Sequence, residues 1–427
     1  MFVNWWGNYN IGNGHISTIL SWLNMVPGRL LDAFPQNQKT SPNAHPEPLL
    51  LKHYYVLCYP EAVLNVKLDS AVKRRIRRAF LTLASEKPEL YKEYPQPNEA
   101  EIAQAIISLM EAQMEKNSAP GKTLRDVHSK THGCIKGYFE ISPDVPADFR
   151  VGVFSQPRRY SAWMRFSNAG GFAPVGGTVA DKVRDVRGLA IKLLDVPGEK
   201  LLAGEETATT QDFLLFTAKE FLGARPVDFL DLMKAVTANK LMLMGFLITH
   251  PAMTLVLLKS LKIHTNLFDL QYYSSVPYAL GKLAVKYTVK PQVPLPMPFP
   301  RPATPNYLRE RMAQQLAEGE IRFDFLIQVQ TDPCTMPIED GFAVWDENVS
   351  PFRKVATLIL PKQQFDSPEQ MKCCENSSFN PWHCLPEHRP MGAINRTRRI
   401  VYQAISEFRH KRNQLQRKEP VGTDPCS

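Results

Sequence analysis

The chain lacks most of the signatures by which 427 residues usually announce a chemistry. No glycine-rich loop qualifies as a phosphate cradle. SNAGGFAPVGG has the glycines but neither the P-loop lysine nor the GxGxxG spacing. No GxSxG elbow is present, and no internal repeat. The seven cysteines are an odd number with no paired framework, and the N-terminus lacks the basic start and small-residue cleavage site of a secretory signal. These absences point to free thiols in a reducing, intracellular compartment. The formal charge of +9 comes with no basic-aromatic motif, so nucleic acid is not an expected partner. The basic C-terminal run RTRRIVYQAISEFRHKRNQLQRK reads as a solvated helix end. Cys373, Cys374, His383, Cys384 and His388 fall within sixteen residues, but their spacing matches no zinc knuckle, and a loop with free thiols is the default.

Long apolar runs are also scarce. LMLMGFLITHPAMTLVLL (241–258) reaches the lower limit of a membrane span, but Pro251 interrupts it near the middle. Two short buried helices meeting at the proline are expected, with a membrane-dipping loop as the alternative. The N-terminal WW and ILSWLNMV could lie on a membrane surface, against the simpler reading that they pack on their own domain or a partner subunit.

What is present suits a folded protein: 44% hydrophobic and 22% charged residues. Residues 1–34 form an apolar segment and 35–49 a polar, Pro-rich linker; a single domain is expected over 50–415, followed by a tail, 416–427. Helical periodicity fills 50–118. From 120 the pattern turns to short strands at GYFEI, RVGVF, SAWMRFS, RGLAIKLLDV and DFLLF, later at FDFLIQVQ, GFAVW and KVATLILP. Helices are expected over 226–285, 305–318 and 394–412. The fold class is α+β, with a β-barrel or sandwich at its centre.

Four segments stand out by their cations. Arg125 precedes His128 by three residues, just ahead of the GYFE strand (137–140). Arg165 lies inside RFS (165–167), and VRDVRG (183–188) follows. On the last helix Arg398, Tyr402 and Arg409 share one face. In this order and over nearly 300 residues, these pieces resemble the haem catalase superfamily. The runs at 210–216, 272–290 and 379–402 are similar to its divergent, catalase-related branch, which includes coral allene oxide synthase.

The resemblance implies a catalase-like antiparallel barrel with haem b buried beside it. Haem iron in that family is held by a tyrosine oxygen, and Tyr402 matches the ligand. A free phenol titrates near ~10; ferric iron and a guanidinium one turn away, Arg398, would both favour the phenolate. Arg125, Arg165 and Arg409 match the clamp on the two haem propionates, where arginine offers a planar fork that stays charged. Phe221 and Phe229 match haem-packing rings. His128 matches the distal proton shuttle, with His132 as its rival, and Ser167 the residue bonded to its ring. Asp185 matches the acid of the access channel. One departure is marked: where the family places an Asn toward the peroxide, this chain has Phe216, with Thr217 beside it. The resemblance therefore implies a haem-dependent oxidoreductase, catalase- or peroxidase-like or a fatty-acid hydroperoxide isomerase. It would favour organic or lipid hydroperoxides over hydrogen peroxide. The alternatives are a weak catalase or peroxidase and a haem-binding protein with little turnover. A homo-oligomer and peripheral membrane contact are further expectations.

Overall fold

The computed structural model describes residues 88–125, 127–170 and 178–421. The expected segment 1–34, the linker 35–49 and the helical pattern over 71–86 lie outside the described residues. The described strands are β1 (Lys130–Ile141), β2 (Arg159–Asn168), β3 (Arg187–Leu194), β4 (Thr210–Phe216), β5 (Tyr272–Tyr273), β6 (Tyr278–Leu280), β7 (Leu283–Pro291), β8 (Ile321–Val329) and β9 (Arg353–Leu360). They join in the order β5-β4-β3-β2-β1-β9-β8-β7-β6, and β5 also pairs with β7. That last pairing closes eight antiparallel strands into a barrel and leaves β6 as a short hairpin arm on β7. The fold is α+β with a closed antiparallel barrel at its centre, and closure removes the sheet edges that a sandwich would leave open.

Alternation along the strands assigns the two faces. On β2, Ala162, Met164 and Phe166 point into the hydrophobic core; on β3, Leu189, Ile191 and Leu193; on β4, Phe213 and Leu215. Aromatic rings fill the interior. Phe325 stands 5.0 Å from Phe139 and 5.1 Å from Phe213, centroid to centroid. Each such ring contributes roughly 1.5–3 kcal/mol relative to exposure. A barrel packed this way has no room for a ligand inside, so the intervening side chains, facing outward, build the site.

Seven α-helices surround the barrel among the described residues: α1 (Glu99–Asn117), α2 (Pro226–Ala238), α3 (Lys240–Thr249), α4 (Pro251–Ser260), α5 (Tyr307–Glu318), α6 (Pro368–Asn376) and α7 (Ala393–Arg412). Ala103, Ile106, Ile107, Met110 and Met114 form one stripe of α1 at helical spacing. It packs on Leu230 and Met233 of α2 and on Val401 and Ile405 of α7. Arg396 fixes the angle of α7 through Glu99 of α1 at 2.7 Å and Glu339 at 2.8 Å.

Several sequence expectations need correction. RVGVF is not a strand: Gly152–Phe154 makes a 3-10 turn, Gly152 has φ +54°, and Val153 N donates to His388 Nε2 at 3.0 Å. GFAVW is not one either, because Gly341 pairs with 221–224 through Phe221 N to Gly341 O and Gly341 N to Ala224 O, both 2.8 Å. The helices expected over 226–285 stop at Ser260, and the chain from Tyr272 forms β5–β7. The run 241–258 does form two helices that meet at Pro251, but much of their surface is exposed rather than buried. The C-terminal helix end is not simply solvated, since Arg409 and His410 are buried. Beyond it, Glu419 of the tail ion-pairs with buried Lys192 at 2.7 Å.

The free-thiol reading fails as well. Cys134 of β1 and Cys374 of α6 form a disulfide across 240 residues, and Cys334 and Cys373 are also disulfide-bonded. Among the described residues only Cys384, buried, is a free thiol. The inference of a reducing compartment thus loses its basis. The Cys134–Cys374 bond closes a long loop, so Cys374→Ser is expected to lower stability by about 2–4 kcal/mol. Denaturant unfolding of wild type and variant, with and without reductant, checks this: reductant should bring wild type down toward the variant.

Candidate functional site

The barrel's outer face over β2, β3 and β4 is one wall of a cavity of about 240 Å³; α1, α2 and α7 supply the others. Register sets the first wall. Ser167 pairs with Gly188 and Gly188 with Phe216, and in the next outward row Arg165 pairs with Ala190 and Ala190 with Leu214. All of these line the cavity. From α7 come Thr397, Arg398, Val401, Tyr402, Ile405 and Arg409; from α2 and its approach, Phe221, Leu222, Pro226 and Phe229. Of the eleven sequence-derived site residues, ten line this cavity: Arg125, His128, Arg165, Ser167, Phe216, Phe221, Phe229, Arg398, Tyr402 and Arg409. Thr217 does not. Its hydroxyl turns away to accept from Arg187 N at 3.1 Å. Asp185 is also outside the lining, fully buried, with its carboxylate accepting from Gly170 N at 3.0 Å and Val186 N at 2.8 Å.

His128 sits in the bend before β1 with φ +59°, a conformation that costs a non-glycine residue of order 1 kcal/mol or more. Its neighbours hold it there. His128 N donates to Ala169 O at 3.0 Å, its carbonyl accepts from Arg165 at 2.7 Å, and Nδ1 lies 3.1 Å from Ser167 Oγ. The ring lies over Gly188, where an added Cβ would come within 2.5 Å of Cε1 and Nδ1. Glycine is therefore required at 188 by the imidazole above it. Burial pushes the ring down to about 3, helped by the nearby charges of Arg165, Arg398 and Arg125, so it is neutral at physiological pH. His132 is elsewhere. It is fully buried at the start of β1, with Nε2 on Asn168 Oδ1 at 2.5 Å, and it does not reach the cavity.

On the helical wall, Arg398 donates to Tyr402 Oη at 3.1 Å and to Asn395 Oδ1 at 3.0 Å. Burial alone would lower the guanidinium, but Tyr402 and Tyr278 beside it outweigh that and raise it.

Three guanidinium groups gather at one edge. Arg125 donates to Glu375 Oε1 at 2.8 Å, and Arg409 to the Glu375 carbonyl at 2.8 Å. Arg165, buried, finds only neutral acceptors, the His128 carbonyl and Thr131 Oγ1 at 2.5 Å, and its Nε has no partner. Burial and repulsion from Arg125 and Arg409 hold Arg165 well below the usual arginine range, against the pull of Glu375. Burial would raise Glu375, but the three arginines together keep its carboxyl below the ordinary carboxylate range. Thr131 bonds its other oxygen at 2.9 Å. Sequence reasoning missed Glu375. The only signal available was that three converging arginines need a counter-charge.

Among the described residues no group of three His, Cys, Asp or Glu side chains could hold a metal ion, and Cys374, His383 and His388 are engaged in a disulfide or in hydrogen bonds. A bare ion has no cage here. A metal carried in its own macrocycle needs only one protein ligand, and the donor set fits that: one phenol held by an arginine, an apolar slot, and a buried cation with an open N–H at its edge.

Four histidines, His128 and His388 at about 3 and His132 and His264 at about 4, are all depressed first by removal from water. Their unfolded counterparts bind protons near 6.5 while the folded rings do not, so stability falls as pH drops below 6.5. By pH 5 each costs about 2 kcal/mol. Buried Lys286, pushed down to about 7 chiefly by burial, adds a loss that sets in already above pH 7, so thermal midpoints should fall throughout from pH 8 to 4.5.

Two comparisons return nothing: no family model matches the chain, and no curated protein matches it. Solved structures do. A fungal catalase superposes with a TM-score of 0.54 at 19% identity, over 76% of this chain and 66% of that one. Catalase A from Saccharomyces cerevisiae gives 0.52 at 18%, over 76% and 68%. The chain shares the fold of these catalases and spans about two thirds of their length.

Proposed function

We propose that the cavity holds haem b and that the protein is a haem-dependent oxidoreductase acting on hydroperoxides, organic or lipid ones ahead of hydrogen peroxide. The observation that carries this reading is the buried Arg165 charge, with an open Nε, facing the same apolar cavity as the Arg398–Tyr402 pair. A ligand that is broad and apolar, bears carboxylates at one edge and needs one oxygen donor satisfies both ends at once. The catalase fold agrees with it.

In this reading Tyr402 Oη would hold the iron, with Arg398 orienting that oxygen by a charged hydrogen bond. Arg125, Arg165 and Arg409 would take the propionates. Phe221, Phe229 and Val401 would pack on the macrocycle, which when bound would supply the redox chemistry of O–O cleavage. His128 moves the proton. With Nδ1–H donated to Ser167 Oγ, the Nε2 lone pair accepts the proton of the hydroperoxide and returns it to the departing oxygen. Being neutral, the imidazole is ready to accept without first losing a proton of its own. Phe216, whose ring stands 5.8 Å from that of Phe221, gives the peroxide side an apolar surface with no amide to bond a small peroxide. Among the described residues that line the cavity there is no Asn. An alkyl chain gains from contact with such a surface; hydrogen peroxide does not.

The reading is tested by the absorption spectrum of purified protein with haemin, before and after a lipid hydroperoxide. A Soret band and turnover of the hydroperoxide are expected. Tyr402→Phe should shift the spectrum, and Arg165→Leu should weaken haem retention at least about tenfold, whereas Glu375→Gln, which removes a negative charge from the clamp, should not weaken it. Failure to bind haemin at all would sink the proposal. His128→Ala separates enzyme from carrier: it should keep haem and lose about 10²-fold or more in turnover. An unchanged, slow rate would instead favour a haem-binding protein.

The substrate preference has its own check. Phe216→Asn should raise hydrogen-peroxide disproportionation by about tenfold or more and lower turnover of the lipid hydroperoxide. Vigorous oxygen release from hydrogen peroxide by the unmodified protein would contradict the preference.

A further inference from the structure

Helices α3 and α4 meet at His250–Pro251 with a bend of 108°. Each buries one edge: Phe246 of α3 and Met253 and Leu257 of α4 pack with Leu232 and Ala235 of α2. The other edge carries Leu241, Met242, Met244, Ile248, Leu255 and Leu258. Leu241, Ile248 and Leu258 are 78%, 77% and 71% exposed. Singly exposed apolar side chains are ordinary, but six on two adjoining ten-residue helices form a patch that marks an interaction surface.

The charges around the patch select its partner. From residue 232 to 268 the sequence has no Asp or Glu, and its cations are Lys234, Lys240, Lys259 and Lys262, all exposed. Lys234 has Asp231 at 3.3 Å and Lys259 has Glu220 at 4.0 Å. Among the described residues no carboxylate lies within ion-pair distance of Lys240 or Lys262. An apolar ridge with lysines at its ends complements an anionic lipid surface, where the side chains enter the acyl boundary and the ammonium groups stay among the headgroups. A second copy presenting the same face would instead bring like charges together. Among the described residues no single helix is long and apolar enough to cross a bilayer, and the sharp bend suits a pair that lies in one leaflet.

We propose that α3–α4 is a membrane-docking element that seats this protein on anionic bilayers. It adjoins the cavity. Leu222 packs with this cluster and also lines the cavity. The docking proposal stands on the surface alone and does not depend on what the cavity binds.

Sedimentation of the full-length protein with vesicles tests it, using phosphatidylcholine alone and phosphatidylcholine mixed with phosphatidylserine. The unmodified protein should pellet with the phosphatidylserine vesicles, less so as salt rises. Leu241→Gln/Ile248→Gln/Leu258→Gln, all exposed, should keep the thermal midpoint and lose at least tenfold in vesicle affinity. Lys240→Glu/Lys262→Glu should lose the preference for phosphatidylserine and most of the salt dependence. No binding to either vesicle overturns the proposal. So does unchanged binding by the glutamine variant, which would place the contact elsewhere on the chain. Self-association without vesicles that the glutamine variant abolishes would assign the face to a second copy and overturn it as well.

Discussion

A guanidinium on a barrel strand is the constraint around which the site is built. Arg165 occupies an outward position of β2, between Met164 and Phe166, which point into the core, and it is buried. An uncompensated charge in such a place costs several kcal/mol, so its surroundings must supply dipoles and counter-charge. The His128 carbonyl and Thr131 hydroxyl supply the dipoles, and Glu375, on the same Thr131 hydroxyl, supplies the nearby charge. Glu375 could not reach this edge without α6, and the Cys134–Cys374 bond ties α6 to β1 one residue away from it. The disulfide, the helix and the carboxylate form one device for keeping cations together at one edge of an apolar cavity.

The same arginine ties the charged edge to the imidazole. By holding the His128 carbonyl it helps keep that residue at positive φ, and the ring then falls over Gly188 beside Ser167. The position of the imidazole therefore follows from strand register: Ser167 and Gly188 are partners across β2 and β3, and Phe216 is the next partner across β4. A one-residue slip would turn all three inward and destroy core and site together. Barrel closure thus does more than bury rings; it fixes which outward side chains share a row.

This explains what the sequence made legible. β2, β3, β4, β8 and β9 read clearly because each is a short apolar run rich in β-branched, aromatic or other large apolar residues, set between polar stretches. The last helix read clearly because Arg398, Tyr402 and Arg409 recur on one face. The failures share a cause in distant contacts. RVGVF and GFAVW alternate like strands, yet their backbone groups bond to His388 and to 221–224. Glu375 and the disulfide depend on a pairing across 240 residues that no local pattern encodes. Thr217 sits beside Phe216 in sequence, but the pleat sends adjacent residues to opposite sides, and its hydroxyl caps Arg187 N instead.

Helix α2 links the two apolar surfaces of the molecule. Its start and one face, with Pro226 and Phe229, close the cavity, while Leu232 and Ala235 on another face seat the exposed helix pair. Such a helix is apolar around much of its circumference and is stable only with partners on both sides. The aromatic row Phe216, Phe221 and Phe229, with centroids 5.8 and 6.4 Å apart, runs from the barrel wall to this helix. On the proposed reading a lipid hydroperoxide would meet apolar side chains at each stage, from the leaflet under α3–α4 to the rings beside His128. Hydrogen peroxide gains nothing from any of them. The proposed substrate preference and the proposed membrane contact therefore rest on separate observations, yet they call for the same chemistry in the ligand.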